Sequence, residues 1–518
     1  MTGRTSSGLL TCAPSTALDT RHMRYRVKLF PEIIIKSRPV RKQMVRCLRT
    51  NLRNILTPLV PDVRIADCWD ALEVRVRHAI DDTIRERLEA ALSRVPGIHE
   101  VLVIEGHTFV SFADTAERLV ALWRAPLSGR RFRVSAKRRG QHDFTSADLE
   151  RYLGGALLDA SPDAKVDLSH PEVNVTLELQ DQHLRLVTRR LPGLGGYPLG
   201  TQGQALALIS GGYDSPVAAW RLIRRGLKTH YLFFNLGGPQ HEQAVREVVH
   251  QVWQGYSASH HAHFISVPFD GVLDEIQRRV PPGLAGVVLK RMMLRAANRV
   301  AARARISALV TGDALAQVSS QSLVNLGLID AVSERPVLRP LIADDKQTII
   351  EDARRIGTAA HAERLPEYCG TISQRPNTRP RPEQIDTAEA DFDMGVLDAA
   401  LEATRQTRVD RLLDTPAPRT LDVPMIESAE ALREADDVTV IDIRHPDERE
   451  AAPLKLPQGE PLAIPFFELG ERAAQLSSQR RYALYCDQGI MSKMQALRLA
   501  DQGLTNFVVY RGNPHAEH

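Results

Sequence analysis

Ala205-Leu-Ala-Leu-Ile209, Ser210-Gly211-Gly212-Tyr213-Asp214-Ser215 and Pro216-Val-Ala-Ala-Trp220 follow one another without a break. A short apolar run, a turn with two glycines and a helix-compatible segment read as strand, tight loop and helix. Pro216 suits the first helical turn, where its missing N–H costs nothing. Such a turn is a phosphate cradle. The glycines let the backbone approach an anion, successive N–H groups form a nest, and the helix N-terminus adds partial positive charge. Ser210 and Ser215 add hydroxyls. The ending Gly-Lys-Ser/Thr is absent, so this is not the Walker form of the cradle.

Working outward, apolar runs at Ala205–Ile209, His230–Asn235, His263–Val267 and Ala308–Thr311 alternate with amphipathic helical patterns. Alternation of this kind predicts a doubly wound parallel sheet with crossover helices over residues 204–395. Before it, Leu191–Gly203 is glycine-rich and reads as a hinge. A mixed α+β pattern fills 81–191, with a helix at Asp82–Ser93 and strands at His99–Ile104, Phe132–Ala136 and Val173–Leu179. Residues 23–80 carry strands Tyr25–Leu29 and Leu72–Val76 around a basic helix, Val40–Leu56. A linker is expected over 396–424, proline-rich from Asp414 to Pro424. A small α/β unit closes the chain at 425–518, with strands at Val438–Ile443, Tyr482–Tyr485 and Phe507–Tyr510 and a helix at Lys493–Gln502. Residues 1–22 read as a disordered leader, with Met1 and Met23 both open as the start.

The chain has 518 residues, 43% hydrophobic and 25% charged, enough for several cores. Its net charge of +4 implies no polyanionic partner by itself. The basic residues are clustered, however: Arg24, Arg26, Lys28, Lys36, Arg38, Arg41, Lys42, Arg46, Arg49 and Arg53, with Glu32 the lone acid among them. A second group is Lys137-Arg138-Arg139, followed by Gly140, His142 and Phe144. These are either a polyphosphate footprint or solvated faces. The five cysteines, without a Cys-x-x-Cys pair, suit neither a disulfide scaffold nor a zinc ribbon, and a cytoplasmic location is expected. No apolar stretch is long enough for a signal peptide or a membrane span.

Cys486 lies in Tyr485-Cys-Asp-Gln-Gly-Ile-Met-Ser492, between a strand and a helix, where N–H groups and the helix end favour a thiolate. Cys369, in Pro366-Glu-Tyr-Cys-Gly370, reads equally as a plain loop thiol. Lys346, in Asp344-Asp345-Lys346, reads as a polar turn before the helix Gln347–Ile356, either solvated or placed to neutralise a leaving anion.

The string SGGYDS resembles the signature of PP-loop ATP pyrophosphatases. Val440-Ile-Asp-Ile-Arg444 with the Cys486 loop resembles a rhodanese domain, and KRRGQHDF with Leu153–Leu157 and Val173–Thr176 resembles a THUMP domain. THUMP, PP-loop and rhodanese in this order, with LFPEI, FFNLGG, LKRMM, TGDALAQVSSQ, LRPLI and PEYCG, resemble the tRNA 4-thiouridine synthetase family in its long form, from about Met23 onward. The fold this implies is an N-terminal ferredoxin-like domain (23–80), a THUMP domain (81–191), the adenylation domain and a rhodanese-like carrier.

The resemblance implies that ATP, with Mg2+ as counter-ion and no tightly bound organic cofactor, adenylates O4 of uridine 8 in tRNA, and that a Cys486 persulfide supplies the sulfur. Leu208, Ile209, Ser210, Gly211, Gly212, Ser215, Phe233, Phe234, Lys290, Gly312 and Gln321 would contact ATP. Asp214 and Lys346 would act at phosphorus, and Cys369 would close a transient disulfide on Cys486. No protein-held metal site is implied. Implied partners are tRNA, a cysteine desulfurase and the sulfur-carrier protein of thiamine thiazole synthesis, with no membrane. Gln488 stands where the family pattern leads one to expect arginine, which leaves open how the persulfide charge is balanced. Other PP-loop enzymes (a 2-thiouridylase, an amide-forming ligase) and a non-catalytic sulfur relay are the alternatives.

Overall fold

The computed structural model describes residues 23–68, 71–76, 80–364, 375–414, 423–435, 437–456 and 459–512. The leader 1–22 and Cys369 lie outside them. The described chain forms two compact units, one up to Thr201 with Arg224–Gly226, the other Gln202–Ile223 with Leu227 onward.

The first unit is built on one eight-stranded sheet, order β2-β3-β1-β4-β8-β7-β5-β6. Its strands are β1 (Met23–Leu29), β2 (Arg64–Cys68), β3 (Ala71–Val76), β4 (Ile98–Thr108), β5 (Arg131–Arg139), β6 (Lys165–Val166), β7 (Val173–Gln180) and β8 (His183–Gly195). Residues 23–76 and 98–195 therefore share a sheet. Their cores are separate: Met44, Leu48, Leu52 and Leu56, at four-residue spacing on the helix Arg38–Leu56, pack with Tyr25, Val27 and Val74. Leu149, Leu153 and Leu157 of the helix Ser146–Ala160 pack with Phe132, Val134 and Leu177.

The expected hinge at Leu191–Gly203 is corrected in its first part. β8 continues to Gly195 and pairs with β4, Leu191 opposite Val101 and Gly195 opposite Ile98. Glycine content marked a turn, but the ladder to an already formed strand outweighs local propensity.

In the second unit a six-stranded sheet runs β13-β12-β9-β10-β11-β14. It comprises β9 (Gln204–Leu208), β10 (Lys228–Asn235), β11 (His263–Pro268), β12 (Ala308–Val310), β13 (Val337–Leu338) and β14 (Arg405–Arg408). All pairs are parallel except β11 with β14. The linker expected over 396–424 is thus folded in its first half, with a helix at Gly395–Glu402 and β14 paired to β11. Polar Arg405-Gln-Thr-Arg408 is legible as a strand only once an open sheet edge is present.

A third sheet, entirely parallel, runs β15-β19-β18-β16-β17. Its strands are β15 (Met425–Ile426), β16 (Val438–Asp442), β17 (Leu462–Ala463), β18 (Arg481–Tyr485) and β19 (Phe507–Tyr510). It is packed on the second sheet's helices: Phe466 and Leu469 share one apolar core with Phe269, Leu273 and Ile276. Arg498 forks across that contact to Asp270 (2.9 Å) and Asp274 (3.3 Å). Among the described residues no helix is long and apolar enough to cross a membrane.

Candidate active site

The strand order decides where the site must be. β9, first in the chain within its sheet, has β10 on one side and β12 on the other. In an open parallel sheet a crevice opens at the carboxyl ends of strands where the order reverses in this way. Three segments leave the strands there: Ile209–Ser215 after β9, Leu236–Gly238 after β10 and Thr311–Asp313 after β12.

The Ser210–Ser215 loop is closed by its own side chains. Ser215 Oγ accepts from Ser210 N–H at 3.0 Å and lies 3.2 Å from Ser210 Oγ. Gly211 takes φ +84°, a left-handed conformation that disfavours a side chain. Asp214 begins the helix Asp214–Arg224, so the helix's first-turn N–H groups, which have no intrahelical partner, lie at the loop. Gly312 is required for another reason: a Cβ there would sit 2.8 Å from the Asp214 carbonyl carbon and from Ser215 N. Only a bare backbone lets the β12 loop lie against the cradle.

Two ionic clusters adjoin this loop. Asp214 receives Lys346 Nζ on Oδ1 at 2.7 Å and Gln317 Nε2 on Oδ2 at 2.9 Å. Lys346 also lies 5.5 Å over the Tyr213 ring. It is the first residue of the helix Lys346–Ile356, capped by Asp345, rather than part of the turn before it. The Asp345 side chain occupies the capping position, which shifts the helix start one residue back.

The second cluster centres on Asp313, buried and bonded to Lys290 Nζ (2.8 Å), Thr311 Oγ1 (2.7 Å), Arg339 Nε (3.2 Å) and Gln321 Nε2 (3.3 Å). Burial alone would raise its carboxyl, but Lys290, Thr311 and Arg339 hold it well below the usual carboxylate range. Arg339 in turn forks to Asp330 at 2.6 and 2.7 Å.

Lys290, Gly312, Gln321, Asp214 and Lys346, distant in sequence, are therefore linked through these two clusters and the loop. Leu208 and Ile209 lie at the end of β9, with Ile209 N–H donating to Leu232 O. Phe233 and Phe234 are core side chains, on His241 and Phe264 and on Phe269 respectively. Only their backbone is available to a ligand. Asp313, Gln317 and Arg339 were missed by sequence reading; they lie inside TGDALAQVSSQ and LRPLI, but only folding reveals their shared partners.

At the other centre, Cys486 follows β18 and is 8% exposed, so its sulfur is not free in solvent. Its Sγ accepts from Ser492 N–H at 3.3 Å and lies 3.4 Å from Ser492 Oγ. The following helix begins at Ile490, three residues earlier than expected, with Gly489 at φ +72° turning the chain into it. Arg444 grips Asp442 (2.7 Å) and Asp487 (3.0 Å) and lies 5.0 Å over the Tyr485 ring. Burial disfavours its charge, yet Asp442 and Asp487 more than offset this and push it above its ordinary value.

The basic cluster of the first unit is divided by the fold. On the sheet, Arg24 lies 3.9 Å from Glu73, Arg26 pairs with Glu178 (2.8 Å), and Lys28 with Glu100 (2.9 Å). Arg49 pairs with Asp67 at 2.9 Å. Lys36, Arg38, Lys42, Arg46 and Arg53 are exposed and, among the described residues, have no carboxylate partner. In the second group Arg138 lies over Phe144 at 5.9 Å, with Lys137 and Arg139 exposed.

Residues 200–394 match the family model "Thiamine biosynthesis protein (ThiI)", and residues 108–188 match the THUMP domain. A tRNA sulfurtransferase of Edwardsiella ictaluri is 47% identical, covering 94% of this chain and 100% of that relative. One of Pectobacterium atrosepticum is 43% identical over the same shares. The crystal structure of a 4-thiouridine synthetase–RNA complex with bound ATP superposes with a TM-score of 0.63 at 25% identity, covering 74% of this chain and 99% of that one. Identity at this level over nearly the whole chain, with the cradle and its ionic clusters assembled at one sheet edge, makes this protein a member of the tRNA sulfurtransferase family.

Proposed function

We propose that the crevice beside β9 binds ATP and adenylates O4 of uridine 8 in tRNA, and that sulfur carried as a persulfide on Cys486 then replaces that oxygen. The observation that carries this reading is Asp214, at the head of the cradle helix, shared between Lys346 and Gln317. The loop N–H groups would grip the leaving pyrophosphate. Lys346 would neutralise charge developing at phosphorus, where a placed cation counts most because it needs no reorganisation. Both Asp214 oxygens are engaged, and among the described residues no group of three or more His, Cys, Asp or Glu could hold a metal. A Mg2+ counter-ion bound with ATP would supply charge neutralisation on the phosphates.

Adenylation turns a poor leaving group into a phosphate ester. The terminal sulfur of the persulfide attacks C4, AMP departs, and a mixed disulfide joins Cys486 to the base. A Cys369 thiolate then attacks Cys486 Sγ, releasing the 4-thiolated base and leaving a Cys369–Cys486 disulfide. A two-electron thiol reductant restores both. A cysteine desulfurase would load Cys486, and the sulfur-carrier protein of thiamine thiazole synthesis is a second recipient. The exposed basic residues of the helix Arg38–Leu56 and the THUMP-containing unit would hold tRNA by backbone and shape. We place the protein in the cytoplasm, with an adenylation part that runs from 204 through β14 at Arg405–Arg408 and a carrier part at 425–518.

The test is tRNA thiolation with a desulfurase as donor, alongside ATP–pyrophosphate exchange. Cys486→Ala and Cys369→Ala should both lose multiple turnover, and Asp214→Ala should lose thiolation and exchange together. Full activity of either cysteine variant would end the relay, and full activity of Asp214→Ala would end the adenylation assignment.

A further inference from the structure

Gln488 leaves the Cys486 loop without the arginine that would sit beside a persulfide anion, so the balancing charge must come from elsewhere or be absent. The sheet register supplies a candidate. β18 and β19 are parallel neighbours, and their last paired residues are Tyr485 and Tyr510. One step beyond, Cys486 and Arg511 leave adjacent strands side by side, with backbones about 5 Å apart. Both therefore emerge at the carboxyl edge of the sheet, on the face opposite the two tyrosines.

Two contacts fix Arg511 there. Its N–H donates to Ile426 O at 2.9 Å, anchoring it to β15. Its side chain runs along Gly489, where a Cβ would lie 3.5 Å from Arg511 Cγ and 3.8 Å from its Nε. Gly489 N–H is bonded to Cys486 O at 3.2 Å. The guanidinium stem thus crosses the turn that wraps the sulfur.

On the other flank, Arg444 is already claimed by Asp442 and Asp487. Arg511 is exposed and, among the described residues, has no carboxylate partner.

We propose that Arg511 is the positioning residue whose charge stabilises the thiolate and persulfide of Cys486, in the place left open by Gln488. This rests on Cys486 as sulfur carrier, but the stabilisation of its thiolate can be measured without sulfur transfer. A cation within about a Debye length of a buried thiolate favours the anion by a modest Coulomb term.

The experiment follows alkylation of Cys486 by iodoacetamide in the full-length protein at pH 7 and low salt. Mass spectrometry of the Cys486 peptide reads the rate. Arg511→Gln should slow it about three- to tenfold with an unchanged melting temperature. Arg511→Lys should keep most of the rate, and Gln488→Arg in the Arg511→Gln background should restore it. A parent-like rate in Arg511→Gln, or no recovery with Gln488→Arg, would overturn the proposal. Failure of the carrier reading shows instead as full thiolation by Cys486→Ala with desulfurase as donor, an outcome the alkylation rates do not touch.

Discussion

Gln317 holds Asp214 by a single hydrogen bond at 2.9 Å, on the oxygen that Lys346 leaves free. Without it the carboxylate keeps its lysine but loses its orientation, and a misoriented group at the head of the cradle acts on the transition state more than on nucleotide binding. Gln317→Ala should lower kcat for thiolation about ten- to a hundredfold, the range for a hydrogen bond to a charged group, with KM for ATP changed less than about threefold. Steady-state kinetics over ATP concentration will separate the two. At this scale the sequence was most legible where chemistry is local. The cradle Ser210–Ser215 and the thiol of Cys486 stand in settings that a short string defines. Asp313 and Arg339 were not legible, because a carboxylate and a guanidinium 26 positions apart gain meaning only from their 3.2 Å contact.

Among the elements, β10 carries a pH-sensitive packing. His230 is 6% exposed; its Nδ1 accepts from His263 N–H at 3.2 Å and its Nε2 lies 3.0 Å from Gln204 Oε1. That arrangement suits the neutral ring, and burial, with Lys228 nearby, lowers its pKa to about 4. The folded state binds fewer protons than the unfolded one between that value and the ordinary value of 6.5. Stability present above pH 6.5 is therefore lost as pH falls, by up to about 1.4 kcal/mol per pH unit from this group. His241, buried at 3.4 Å from Ser210 O and lowered to about 4, acts in the same direction. Chemical denaturation at pH 7 and pH 5 should show the loss, and His230→Gln should reduce it. The alternation of apolar runs made most strands of this sheet readable. β14 was not, since Arg405-Gln-Thr-Arg408 has no apolar pattern and is a strand only because β11 offers it an edge.

For the molecule as a whole, a parallel-sheet unit before a linker and a small α/β unit after it were expected, but their contact was not visible in the sequence. Arg498 joins them by reaching Asp270 and Asp274. Asp274 is raised to about 6 by burial, against the pull of Arg498. Its charge, and hence its need for Arg498, is present above that pH and fades below it. Arg498→Ala should thus cost about 1–2 kcal/mol at pH 8 and less at pH 5, as read from thermal melts at each pH.

The greasy seam beneath that ion pair has a further bearing on heat and on truncation. Phe466 and Leu469 on one side and Leu273 and Ile276 on the other are interior to both halves at once. Neither half can melt without wetting the other, so nucleotide-handling and sulfur-carrying parts should share one endotherm in calorimetry. A protein shortened to end before the last sheet would bare that seam and self-associate.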